Sequence, residues 1–383
     1  MRRIRWTAGL LSLLVFLAAG ALAEPALEDR GIDLGGSGVH YPAVTGLEDA
    51  ALEESVNAAV VERGGVQALL DRLTVVFSSP AGLHVQWEAD EAAWKGGVLS
   101  CVLTASGALK DTRTTEEHTA VNVDLTDGHV IGWDELFTDG EAAKETAAII
   151  LEDTVAPDLS AHLLNASLTP VPELFTLSDT GLTLWYPIGQ LSTLRDHAGS
   201  VQLQWYELKD FLNLEPGSVL RRIGAADQLT LTSLEAVGQA VADGGLPGIP
   251  AKLGGSVKEL TDRWGMLIDP DLYDSGRVFT LDGAAFRSVM ILTDSLSESW
   301  DNSTVQGIRS DRLNLCGLVT GETDRSAWQE AFGEPDASIT LDSEAAEAQL
   351  LPAGTSDYYV LGSGRLRLHA DTDGTLTSIC LLP

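Results

Sequence analysis

Positive charge is what this chain has least of. Only 24 Lys and Arg stand against 56 Asp and Glu, a formal charge of −32, and just six of the 24 are lysine. A polyanion of that size repels nucleic acid and anionic lipid, and it draws in cationic proteins or metal ions at rates that fall with added salt. A solubility or high-salt adaptation spread over the whole surface accounts for the same acids. Three cysteines exclude a disulfide-dense scaffold. After residue 23 no apolar run is long enough to span a bilayer. Signatures of catalysis are missing as well. No Gly-x-Ser-x-Gly elbow, His-Glu-x-x-His, Ser-x-x-Lys or phosphate-cradling glycine loop occurs, and the cysteines lack metal-ligand spacing. No cofactor and no metal is therefore expected. With 56 carboxylates any chosen acidic pair is uninformative, so an enzyme acting through unrecognised carboxylates stays open as an alternative.

What is present begins with an export signal. Arg2, Arg3 and Arg5 precede a nearly all apolar or small stretch, Gly9 to Leu22, and Ala21-Leu22-Ala23 has the small-x-small form that signal peptidase cuts. An uncleaved anchor is the alternative, opposed by an apolar core shorter than the roughly 20 residues a spanning helix needs. No cysteine stands at the cut to carry a lipid. Cleavage after Ala23 leaves 21 basic residues against 56 acids, a charge of −35. The expected location is the cell envelope or the extracellular space. About 360 residues at 44% hydrophobic can bury a sizeable core.

The fold is most legible from Val121 to Phe137, VNVDLTDGHVIGWDELF. Val121, Val123 and Leu125 alternate with Asn122 and Asp124, the period of a strand with one buried face, and Thr126-Asp127-Gly128 supplies turn residues. A second short strand follows, then Asp134-Glu135-Leu136-Phe137 with acids where a helix N-terminus favours them. Upstream, the spacing predicts a helical stretch over Tyr41 to Leu73 interrupted at Gly64-Gly65, then strands at Leu83 to Trp87, Val98 to Thr104 and Thr119 to Leu125. Downstream come a helix over Glu141 to Asp153, a hairpin around Asp179-Thr180-Gly181, and a strand Val201 to Trp205 running into a helical segment to Leu212. This is an α+β class: an antiparallel sheet and helix layer domain.

The order of these pieces resembles the RsiV-type extracytoplasmic domain. The run VNVDLTDGHVIGWDELF matches its strand, turn and D-x-L-F segment, and Phe175-Thr176-Leu177, Gly181 to Leu184, Tyr186-Pro187-Ile188-Gly189 and Tyr206-Glu207-Leu208 match its later strands and final helix. The family includes the lysozyme-binding outer domain of an anti-sigma factor and domains that precede peptidoglycan deacetylases. The resemblance therefore implies a non-enzymatic binding module whose partner is a cationic protein such as lysozyme, or a cell-wall component. It departs at Ser106-Gly107-Ala108-Leu109, where the family carries a histidine in place of Leu109.

Residues 24–222 are assigned to this RsiV-like domain. From Leu214 to Pro250 the composition shifts to Gly, Pro, Ala and Asp, which reads as a linker with a helix over Ser233 to Ala242 and puts the boundary at 223–250. Residues 251–383 hold an internal repeat. Gly254 to Gly265 aligns with Gly321 to Gly333, each a helix ending in aromatic-Gly, and each is followed by three strand-like runs. The runs are Arg277 to Asp282, Arg287 to Thr293 and Thr304 to Arg309 in the first copy, and Tyr358 to Leu361, Arg365 to Ala370 and Leu376 to Leu382 in the second. Two helix-plus-three-strand units sharing an antiparallel sheet resemble the tandem repeat of beta-lactamase inhibitor protein-like domains, in which Gly333-Glu334-Pro335-Asp336 is similar to a recurring Gly-x-Pro-Asp signature.

Trp185, Tyr186, Trp205 and Tyr206 are the candidate binding surface, although strand aromatics are more often core. His118 and His129 flank the VNVDL strand and read as surface histidines on a hairpin. Asp371-Thr372-Asp373-Gly374 opens like a calcium loop but lacks the later glutamate, so a tight hairpin turn accounts for it better. Cys101 reads as a buried free thiol, whereas Cys316 and Cys380 fall in strand-like runs of the same repeat domain and are expected to form a disulfide in an exported protein. Cleavage after Ala23 makes its own prediction: N-terminal sequencing of exported protein returns Glu24, and material that starts at Met1 and pellets with membranes refutes it.

Overall fold

Val98 to Asp124 carries the longest alternation in the chain, and it folds as the widest hairpin. The computed structural model describes residues 25–383 except 80, 111–112, 152–170, 187–199, 265–270, 274–275, 281–288, 295–301 and 363. The signal segment, Pro187 to Gly189 and Gly265 thus lie outside the described residues. Strands β1 (Ala26–Leu34), β2 (Ser37–Thr45), β3 (Leu83–Ala89), β4 (Val98–Lys110) and β5 (Arg113–Asp124) form one sheet in that order. All pairs are antiparallel except β2 with β3. Helices α1 (Ala50–Arg63) and α2 (Val66–Val76) cover one face, burying Val56, Val60, Val66 and Leu73 against Val39, Leu99, Leu103 and Val121. The break at Gly64-Gly65 stands as expected, with Gly65 in the left-handed region at φ 61°.

The helical reading of Tyr41 to Leu73 starts too early. Tyr41 to Thr45 closes β2, and α1 begins only after Asp49, whose carboxylate accepts from Ala51 N at 2.8 Å and caps the helix. The β1–β2 hairpin escaped the sequence because β1 is an edge strand, exposed at nearly every position, so it carries no alternation to read.

The opposite face of the sheet receives α4 (Trp133–Leu136), α5 (Gly140–Ile150) and a second sheet of β6 (Phe175–Leu177), β7 (Gly181–Trp185) and β8 (Ser200–Gln204). The short α3 (Glu91–Lys95) joins β3 to β4. Two buried polar side chains stitch the sheets together: Ser100 Oγ donates to Asn122 Oδ1 at 2.8 Å, and Asn122 Nδ2 donates to Phe175 O at 2.7 Å. In the VNVDL stretch the turn forms with Gly128 at φ 79°, but the expected second strand shrinks to one bridge between Val123 and Val130.

The stretch expected to act as a linker is folded. A helix over Val219–Arg222 and a 3-10 turn over Ala225–Leu229 bury Val219, Leu220, Ile223 and Ala225 in the first core, while the helix Leu234–Ala240 and Leu246 join the second. Its small residues permit tight turns without leaving the chain solvated.

In the C-terminal unit the helix Val257–Trp264 precedes β9 (Asp271–Tyr273), β10 (Gly276–Thr280), β11 (Val289–Thr293) and β12 (Val305–Ser310). A small hairpin, β13 (Asn314–Leu315) and β14 (Leu318–Val319), separates them from the helix Arg325–Phe332. Then come β15 (Ala337–Leu341), the helix Ser343–Glu347, β16 (Gly354–Leu361), β17 (Gly364–Asp371) and β18 (Leu376–Leu382). The sheet order is β15-β16-β17-β18-β12-β11-β10-β9, so the last strands of the two halves meet in the middle. Each half contributes four strands rather than the expected three, since β9 is three residues long and β15 is an exposed edge. Asp371 to Gly374 is the hairpin turn foreseen, Asp371 Oδ1 accepting from Asp373 N and Thr375 N. In the Gly-x-Pro-Asp run, Gly333 takes φ 81° and Asp336 Oδ2 accepts from Val360 N at 2.7 Å, so glycine and aspartate both serve the turn from helix into sheet.

The Cys316 to Cys380 disulfide does not form, and all three cysteines are free. The reason is the side each occupies. Ile379 and Leu381 of β18 point into the main core with Trp328, and Cys316 in the β13–β14 turn packs there too; Cys380 lies on the other face with Val278 and Leu292. A bond would have to pass through the sheet. Thiol titration of denatured, unreduced protein is expected to count three thiols per chain, and a 316–380 peptide in non-reducing maps would contradict this placement.

Candidate functional site

A groove on the outer side of α1 concentrates the acids. Val56 and Val60 turn inward, and Asn57 pins the helix to β2 by accepting from Val44 N at 2.8 Å and donating to Val44 O at 2.9 Å. That orientation leaves Glu53, Glu54 and Glu62 along an open groove of about 590 Å³ that Ala58, Val61 and Ala68 also line, with Arg30 the one base among the lining residues. Glu54 and Glu62 are exposed, while Glu53 accepts from Leu47 N at 3.1 Å. Carboxylates beside apolar side chains suit the aliphatic stem and charged head of lysine or arginine.

The candidate aromatics separate into two kinds. Tyr186 and Trp205 are 1% and 0% exposed, packed in the core that also holds Leu184, Leu203 and Phe175, so neither belongs to a surface. Their position follows from strand alternation, since Leu182, Leu184 and Tyr186 share one side, as do Val201, Leu203 and Trp205. Trp185 is half-buried, donates to Thr176 Oγ1 at 3.0 Å, and stacks on His118 with ring centroids 4.5 Å apart. Tyr206 faces the C-terminal unit: its hydroxyl donates to Glu322, and Lys209 Nζ lies 3.8 Å from its ring centroid. It lines a cleft of about 310 Å³ with Arg312, Asn314 and Glu322. The polar groups of that cleft bond across the junction, Arg312 to Glu207 and Asn314 N to Gln204 Oε1 at 2.5 Å. Leu109, where the RsiV-type pattern places histidine, is on β4, and its side chain lies outside the described residues.

Asp124, His129 and Glu135 are the metal-ligand constellation among the described residues, with ligand atoms within 4.8 Å of one another. Sequence reading missed it because the three acceptors meet only when β5, the turn and α4 fold together. Asp124 is already committed, Oδ1 accepting from Thr126 N (2.8 Å) and Thr126 Oγ1 (2.7 Å) and Oδ2 from the Arg222 guanidinium, so the cation on it is built into the chain. His129 bridges Asp127 (2.5 Å) and Glu135 (2.8 Å), and these hydrogen bonds raise its pKa above the ordinary imidazole value. His40 is held the same way between Asp29 and Asp33, and its pKa is raised likewise. Each clasp adds stability fully present below the unfolded value near 6.5 and lost as pH rises through the raised folded value.

Burial raises two carboxylates of the first unit. Desolvation lifts Asp179, and it lifts Asp90 to about 6 although Asp90 Oδ1 accepts from Ala93 N at 2.8 Å as the cap of α3. The Asp90 contribution is whole below the unfolded value of 3.8 and lost as pH rises to about 6. Asp90→Asn keeps the cap without the charge. It is expected to stabilise the protein at pH 7 by on the order of 2 kcal/mol and not at pH 4, read as urea midpoints. Equal effects at both pH values would contradict a buried ionising Asp90.

No protein-family model matches the chain. No curated protein matches it. Among solved structures the chain is similar to a DUF3298 family protein of Bacteroides fragilis at 13% identity and TM-score 0.34, covering 53% of this chain and 96% of that one. A DUF3298 family protein of Pseudomonas aeruginosa matches at 11% identity and TM-score 0.36 over 49% and 94%. A DUF4309 family protein of Bacillus subtilis matches at 13% identity and TM-score 0.26 over 39% and 93%. Likeness at these scores carries no argument about function.

Proposed function

We propose that this is an exported, non-enzymatic binding protein of the cell envelope or extracellular space that recognises a cationic protein, with lysozyme the first candidate. The observation that carries the reading is the α1 groove, where Glu53, Glu54 and Glu62 stand against one base beside apolar side chains in a chain of 56 acids and 24 bases. The RsiV-type resemblance supplies lysozyme as the candidate; the groove supplies a place. Opposite charge speeds encounter, and Val61 with Ala58 and Ala68 offers apolar contact beside the acids. A second reading, a cell-wall glycan, rests on Tyr206 in the cleft at the junction of the two units. The enzymatic alternative, a cell-wall polymer hydrolase or deacetylase accessory, calls for paired carboxylates in a cleft; burial raises Asp90 and Asp179, and the charge of Asp179 raises Asp90 further, but Asp90 Oδ1 is committed as the cap of α3.

Titration calorimetry of the mature protein against lysozyme and an unrelated basic protein of similar charge, at about 0.05 and about 0.3 M salt, tests the proposal. Lysozyme is expected to bind selectively and to keep binding at the higher salt. The double variant Glu54→Lys, Glu62→Lys is expected to weaken it at least about tenfold. Equal binding of both proteins that salt abolishes reduces the effect to bulk electrostatics, and full binding by the double variant moves the site away from α1.

A further inference from the structure

The face of the eight-stranded sheet away from the main core buries two arginines side by side. Register places Arg309 of β12 and Arg367 of β17 on either side of Cys380 of β18, with Ser378 two residues along β18 on the same face. Arg309 is 1% exposed, Arg367 6% and Ser378 1%. Among the described residues, the buried side-chain nitrogens and oxygens without a hydrogen-bond partner are Arg309 Nε, Arg367 Nε and Ser378 Oγ. All three belong to this one patch.

Among the described residues a single carboxylate, Asp311, stands against the two cations. Arg309 donates to Gln349 O at 3.0 Å and to Met290 Sδ, and Arg367 to Gln349 Oε1 at 3.2 Å, with Tyr358, Cys380 and the Asp311 carboxylate its other polar neighbours. The one carboxylate at salt-bridge distance is Asp311, 3.2 Å from Arg309 Nε without hydrogen-bonding alignment, and its side chain is 39% exposed. Cys380 between them stays a neutral thiol, since burial raises its pKa more than the arginines lower it. A buried cation costs several kcal/mol unless paired. The same sheet shows what full pairing looks like: on its core face Asp357 accepts both Arg325 Nε and a terminal Arg325 nitrogen at 2.8 Å, and Ser338, Trp328 and Gln329 donate to it as well. A chain with 56 acids has no shortage of carboxylates to place here.

We propose that this patch is an oxyanion site, in which a carboxylate or phosphate group takes the Nε edges of Arg309 and Arg367 and the Ser378 hydroxyl, displacing the part-exposed Asp311 from Arg309 Nε. An arginine Nε and its neighbouring terminal nitrogen form a side-on fork that matches two oxygens of such a group. The segment from Leu341 to Leu351 covers the arginines and packs on its own small cluster of Leu341, Ala346 and Leu351. Leu350 beside Gln349 is held at φ 55°, where a branched side chain is strained. The cover is thus a locally separate piece that yields when the anion enters. The site lies in the C-terminal unit and is independent of the cationic partner proposed for α1.

The test is thermal unfolding of the mature protein in sodium phosphate, sodium acetate and sodium chloride at matched ionic strength. Phosphate or acetate is expected to raise the midpoint by about 2 °C or more over chloride, and the responding arm identifies the source class. Arg367→Gln is expected to lose the response, and Arg365→Gln, exposed on the same strand, to keep it. Should Arg367→Gln fail to fold, hydrogen exchange on the unaltered protein decides: amides of 343–351 exchange at least about threefold faster with the responding anion. No response to either anion, the same response in Arg367→Gln, or unchanged exchange in 343–351 overturns the proposal and leaves the three atoms to buried water.

Discussion

The first unit hangs on the contact between Asp124 and Arg222, residues 98 apart in the chain. Asp124 closes β5 and is almost fully buried, and Arg222 ends the short helix Val219–Arg222. The same guanidinium donates to Gly96 O at 3.1 Å and Gly97 O at 3.3 Å, so it also fixes the entry to β4. Glycine is required at 96: a Cβ there would lie 2.7 Å from Arg222 O. One buried ion pair thereby holds the two ends of the central hairpin against a segment that composition alone had marked as linker. Removing Arg222 costs on the order of 3 kcal/mol, because Asp124 is then left as a lone buried carboxylate.

Legibility followed periodicity. The strands of the central hairpin, α5, and the repeat strands β10, β11, β12, β17 and β18 bury at least one apolar face, and their apolar runs, alternation or three-four spacing stood out in the sequence. Among the strands that escaped, β1, β9 and β15 are edges or very short, where nothing forces an apolar pattern. The aromatics Tyr186 and Trp205 were assignable to the core from alternation with Leu184 and Leu203, whereas the surface position of Tyr206 depends on a neighbouring unit that no local pattern reports. The Asp124, His129 and Glu135 trio and the paired arginines are products of tertiary register; Arg309 and Arg367 are far apart in sequence and become neighbours only through β18.

The acids and the buried bases answer different demands. Carboxylates spread over α1, β1 and the turns, where water screens them, and histidines such as His40 and His129 bridge pairs that would otherwise repel. Arginines are used inside. Arg222, Arg309, Arg325 and Arg367 each sit at a point where strands or helices distant in sequence converge. The guanidinium serves there because it keeps its charge when buried and reaches several acceptors from one planar fork.

The placement of β18 beside β12 has a consequence for the order in which the chain can fold. The strand that joins the two halves of the eight-stranded sheet follows every other strand in the chain, and it pairs with β12 about 70 residues earlier. Until it is made, β12 and β17 each lack their inner neighbour, and the core around Trp328 cannot close. Long-range pairing of that kind holds back the cooperative step of folding until β18 has been made, so the seven strands before it in the sheet stay loosely structured up to that point.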